Sequence, residues 1–199
     1  MTEILSSIEQ VVTHAEETWD ALEHSGIGEI MPVAGHFVKA WRAVRDIRAS
    51  LFAKKLLEFI TNPSLQTPEA RARMRERAES LEGKKIGETL FLVLERLTDM
   101  HKPLWLAKVY AAYLAGELRG SDLRRLASAI DIAFGDDLIE LINSPETPAD
   151  DFAAWKRSLA ASGLTEMGAV DMVPMSNQPA YLVSDWGRMF RKAVRTHSS

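Results

Sequence analysis

Arg188, Arg191, Lys192 and Arg195 recur at three- and four-residue spacing near the end of the chain, and Lys156 and Arg157 stand together on an earlier segment. Guanidinium and ammonium groups gathered in this way are what a nucleic-acid phosphate backbone requires. These residues are therefore the candidate nucleic-acid contacts. The same cations have a more ordinary use, because positive charge in the last turns of a helix offsets the partial negative charge of its carbonyl end.

A second constellation lies between residues 36 and 60. Phe37, Trp41 and Phe52 fall on an apolar stripe, with Arg42 and Arg45 beside it. An apolar face flanked by cations suits an anionic membrane surface or a protein partner. Core packing is the usual fate of such a stripe. An acidic first helix (Glu9, Glu16, Glu17, Asp20, Glu23) offers it the opposite charge.

Other chemistry is thinly represented. His14, His24, His36, His101 and His197 form no ligand pair on one helix face, whereas a metal site needs three or four convergent ligands. Gly135-Asp136-Asp137 reads as helix capping and dipole compensation. Neither a glycine-rich phosphate loop nor a nucleophile elbow is present. The expectation is a protein that is not an enzyme, with no cofactor, no metal and no small-molecule substrate.

The elements that would position these residues are mostly helical. Three- and four-residue apolar spacing predicts helices over residues 3–24 and 36–60, the second ended by Asn62-Pro63. Thr67-Pro68 opens a third, highly charged helix that has little to bury and reads as a solvated lid ended by Gly83. Further helices are expected over 86–98, 103–114, 122–134 (capped by Ser121), 136–142 and 150–162, the last closing on Gly163. A strand over 164–170, a loop over 171–179 and a strand over 181–183 follow. Ser184 then caps a final helix whose Trp186, Phe190 and Val194 lie on one face. That face is expected to pack over Leu164, Tyr181 and Val183, with Trp186 mostly hidden.

The order of elements after the Gly116–Gly120 turn, with the stretches Leu159-Ala-Ala-Ser-Gly-Leu164 and Tyr181-Leu-Val-Ser-Asp-Trp-Gly-Arg188, resembles bacterial winged helix-turn-helix proteins over residues 121–199. That resemblance implies a helix, 150–162, that could enter a DNA major groove. Here it begins with Asp150 and Asp151, which phosphate repels, and the loop over 171–179 holds no basic residue. Packing against the helical body or a second copy is the preferred reading. Leu51-Phe-Ala-Lys-Lys-Leu-Leu-Glu-Phe59, Ala107-Lys-Val-Tyr-Ala-Ala-Tyr-Leu-Ala-Gly-Glu117 and Ile130-Asp-Ile-Ala-Phe134 are similar to stretches of uncharacterised helical proteins of bacteria and their phages. No activity comes with that likeness.

Composition bounds the rest. The chain has 199 residues, 46% apolar and 26% charged, with a net charge of −4 that argues against general nucleic-acid binding. It has no cysteine, no basic-then-apolar start and no uninterrupted apolar run of about 18 residues, so a cytoplasmic location is expected. Five Trp and eight Met favour interfaces. The reading is a mostly α protein: a helical bundle (1–118) followed by a winged-helix-like unit with one short β-hairpin (119–199). Its expected role is a non-enzymatic protein–protein interaction module, self-associating, in a bacterial or phage regulatory or defence setting. DNA-binding regulation through the C-terminal unit is the first alternative. A membrane-surface effector acting through residues 27–60 is the second.

Overall fold

The computed structural model describes residues 17, 20, 21, 24, 47–145, 153–168 and 180–197. Glu17, Asp20, Ala21 and His24 are helical, and the rest of the first expected helix lies outside the described residues, as do Phe37, Trp41, Arg42 and Arg45. The described part is mostly helical, with one two-stranded antiparallel sheet near its C-terminal end. Among the described residues no helix is long and apolar enough to cross a membrane.

Helix α1 (Ile47–Ile60) buries Phe52, Ala53, Leu56 and Phe59. Asn62 leaves the helical region ahead of Pro63 and caps the single turn α2 (Pro63–Gln66), its side chain accepting from the Ser64 amide at 3.1 Å. Thr67 caps α3 (Pro68–Ala78) in the same way, accepting from the Ala70 amide at 3.1 Å. Most of α3 faces solvent, but Ala70 and Met74 are buried and the Arg77 guanidinium lies 4.5 Å over the Tyr113 ring. These contacts seat one edge of α3 on the core, while the rest is solvated with little buried, as expected.

The break after α3 falls at Glu79–Ser80, earlier than Gly83. Ser80 caps α4 (Leu81–Arg96) and its Oγ accepts from the Gly83 amide at 2.9 Å, so Gly83 sits in the first turn of a new helix and does not end the old one. Helix α5 (Lys102–Leu114) is apolar almost all round, the signature of a helix enclosed by others. Helices α6 (Gly120–Ile132), α7 (Gly135–Asn143) and α8 (Ala154–Leu159) follow. A 3-10 turn over Ala160–Ser162 ends on Gly163, whose φ of +75° is the left-handed cap expected there. Strands β1 (Thr165–Met167) and β2 (Tyr181–Val183) pair Thr165 with Val183, Glu166 with Leu182 and Met167 with Tyr181. Helix α9 (Asp185–Thr196) closes the chain, capped by Ser184.

Helix α5 is packed by α1, α2, α3, α6 and α9. Helices α4 and α6 run parallel, since Gly120 lies against Glu82 and Ile86 at one end while Arg96 pairs with Asp131 at 2.8 Å at the other. One core cluster includes residues from Ala49 to Val194, with Leu164, Val183, Phe190 and Val194 at its C-terminal side. The closing helix thus packs over the hairpin as expected. Trp186 is mostly buried against that core, as expected, with the Arg125 guanidinium 4.6 Å over its ring.

The start of α6 supplies a pH-dependent contact. Asp122, and not Ser121, is the capping group: its carboxylate accepts from the Arg119 amide at 3.1 Å and from Arg119 Nε at 2.9 Å. The Arg119 side chain holds the Asp122 carboxyl below its ordinary value of 3.8, against the opposing effect of burial. A depressed folded-state value means the unfolded chain binds the proton more readily. The stabilisation is therefore complete above the ordinary aspartate range and is lost as pH falls below it. Asp122→Ala should cost about 1–2 kcal/mol at neutral pH. Thermal melts should show the gap between variant and parent narrowing below about pH 4; a gap that stays constant into acid would show that the cap contributes through packing alone.

Candidate functional site

A helix ends with carbonyl groups that have no partner within it and that carry partial negative charge. Among the described residues, Lys55, Lys102, Arg191 and Arg195 are used on or beside such ends. Lys55 donates to the carbonyls of Glu95 and Leu97 at 2.7 and 2.8 Å, where α4 ends. Lys102 donates to the Asp131 carbonyl at 3.0 Å, near the end of α6. Burial pushes both ammonium groups below the ordinary lysine range, opposed by Glu95 and Asp131 at Lys55 and by Asp131 and Asp99 at Lys102.

The cations expected to contact nucleic acid divide along the same line. Arg191 is buried and donates to the Pro145 carbonyl at 2.7 Å and to Ser144 Oγ at 3.1 Å. Arg195 donates from Nε to the Ile142 carbonyl at 2.9 Å and from Nη2 to that of Ser144 at 2.6 Å. Together they tie α9 to the end of α7. Arg188 donates to the Val183 carbonyl at 2.6 Å and pairs with Asp185. Lys156 is buried, its ammonium 5.8 Å from the centre of the Trp155 ring. The reading of Lys156 and Arg191 as displayed phosphate contacts is corrected, because neither side chain reaches the surface. Arg157 and Lys192 are exposed.

Phe52 is also corrected. It is fully enclosed in α1 with its ring centroid 4.8 Å from that of Phe91, so it is a core residue and not a membrane or partner anchor.

The surface feature that sequence reasoning missed is the link between α6 and α7. Ile132 is 60% exposed and Phe134 is 62% exposed, while Ile130 and Ala133 between and before them are buried. Ile130 and Ile132 stand two apart on a helix, so a period of 3.6 cannot turn both to one core. That spacing was legible, but it did not say which of the two would lose. Phe134 is carried outward as the residue before α7, whose first glycine, Gly135, packs against the Asp99 carboxylate. The Arg96–Asp131 pair borders this apolar corner.

The geometry defines a helical bundle closed by a short hairpin and a docked C-terminal helix. Comparison of the chain with protein-family models, with curated proteins and with solved structures finds no match.

Proposed function

We propose that this chain is a non-enzymatic helical module that works by binding protein and that it associates with itself. The observation that carries this reading is the corner formed by Ile132 and Phe134, two bulky apolar side chains more than half exposed beside a charged pair. Scattered apolar residues are normal on a protein surface, but neighbouring ones with a polar border are the composition of an interface centre and rim. The burial of Lys156 and Arg191 supports the same reading, because it withdraws two of the cations that phosphate would need.

Size-exclusion chromatography with light scattering tests the proposal. The parent chain should run as a species larger than 22.2 kDa at micromolar concentration. The double variant Ile132→Glu, Phe134→Asp should run as a monomer and melt at nearly the parental temperature, since neither side chain is part of the core. A parent that is monomeric throughout, or a variant that associates equally well, would overturn self-association through this corner.

A further inference from the structure

A cavity of about 240 Å³ opens where α3, the end of α5 and the end of α9 meet. Its floor is apolar, made by Ala70, Ala111 and Leu114, and Thr67, Glu69 and Arg73 stand at its edge. His197 forms part of the wall, and its Nε2 faces Glu117 Oε1 at 3.6 Å.

Two features of this cavity point to a ligand. Glu69 and Arg73 are four residues apart on α3 with the carboxylate nearer the N-terminus, the arrangement that favours an ion pair along a helix. No ion pair joins them, and the hydrogen bond that Arg73 makes runs from Nη1 to the Leu114 carbonyl at the long distance of 3.4 Å. Both side chains are exposed at one cavity, and among the described residues neither makes an ion pair. A bare anion is a poor match, because Glu69 and the carbonyl end of α5 repel it. A bare cation is opposed by Arg73. A molecule carrying both charges satisfies each group.

We propose that this cavity binds a small zwitterion of the α-amino-acid class. Arg73 takes the carboxylate, for which a planar guanidinium offers paired donors. Glu69 takes the ammonium, and the alanine–leucine floor takes a short aliphatic side chain. The volume suits a molecule of that size and lies below the roughly 300–1,000 Å³ of sites for larger ligands. This site is separate from the Ile132–Phe134 corner, so the two proposals stand or fall apart.

The test is a titration of the full chain followed by amide NMR, with L-valine as the probe and with isovalerate and isobutylamine as its carboxylate-only and ammonium-only counterparts. L-Valine should give saturable shifts at Ala70, Arg73, Leu114 and His197. Each counterpart should bind more weakly by about tenfold or more, the effect of losing one charged hydrogen-bonding partner. Arg73→Met should bring L-valine binding down to the isobutylamine level and Glu69→Gln to the isovalerate level, with melting temperatures close to the parent's. The absence of saturable shifts at these residues would overturn the proposal. So would equal binding of all three probes, or retention of L-valine affinity in both variants.

Discussion

Phe190→Ala should destabilise the chain by about 3–5 kcal/mol, the usual loss when a fully enclosed phenylalanine is truncated. Phe190 has no exposed surface and belongs to the same core cluster as Leu164, Val183 and Val194. Its removal leaves a cavity that the neighbours cannot easily fill, because α9 is held at both ends. Ser184 Oγ accepts from the Gly187 amide at 3.1 Å and its hydroxyl donates to the Gly163 carbonyl at 2.7 Å, while Arg191 and Arg195 hold the other end to α7. Chemical denaturation followed by circular dichroism measures the loss. Deleting residues 185–199 removes all of these contacts at once and should yield insoluble or protease-sensitive protein. A truncated chain that stays soluble and melts like its parent would show that α9 is a detachable tail.

Gly187→Ala and Gly87→Ala should have opposite signs. Alanine in place of glycine within a helix ordinarily stabilises by about 0.5–1 kcal/mol, since it lowers the entropy of the unfolded chain. At Gly87 in α4 an added Cβ meets nothing within 4 Å, so the ordinary gain is expected. At Gly187 the same atom would lie well inside contact distance of the Leu164 carbonyl oxygen and 2.8 Å from Val183 Cγ1. That carbonyl also accepts from the Ser184 amide at 3.1 Å, so α9 cannot back away without breaking the joint between hairpin and helix. Overpacking of this kind should cost about 2 kcal/mol or more. Thermal melts of the two variants decide the matter, and a Gly187→Ala variant at least as stable as the parent would mean that α9 approaches the hairpin less closely than described.

The local elements were largely legible. Apolar spacing placed the end of α1 and both ends of α5 and α6 to within a few residues, and short-range chemistry placed other stops: proline after Asn62, the Thr67 and Ser184 hydroxyls, and the left-handed turn at Gly163. These succeed because a cap or a turn is a bargain among residues three or four apart, all visible in one window. Gly83 misled for the same reason. Glycine ends many helices, but here Ser80 offered a hydroxyl three residues earlier, and that competing cap started α4 first.

What the side chains at a distance would do was decided by tertiary structure. Nothing in the spacing of Arg188, Arg191, Lys192 and Arg195 distinguishes a phosphate-binding row from a set of helix caps; only the approach of α9 to the carbonyls of residues 142 to 145 assigns Arg191 and Arg195 to the second use. The same holds for Lys55 and Lys102, whose partners stand forty-two and twenty-nine residues away along the chain. It holds too for the cavity, where Glu69 and Arg73 share one helix face by sequence but meet Leu114 and His197 only by folding. The chain by itself therefore determined a mostly helical protein with a C-terminal hairpin and its local stops, because backbone propensity, capping and periodicity act over a few residues. The fate of each charge and of Ile132 and Phe134 was left to the packing of whole helices, because an exposed carbonyl end or an open core position exists only once those helices have met.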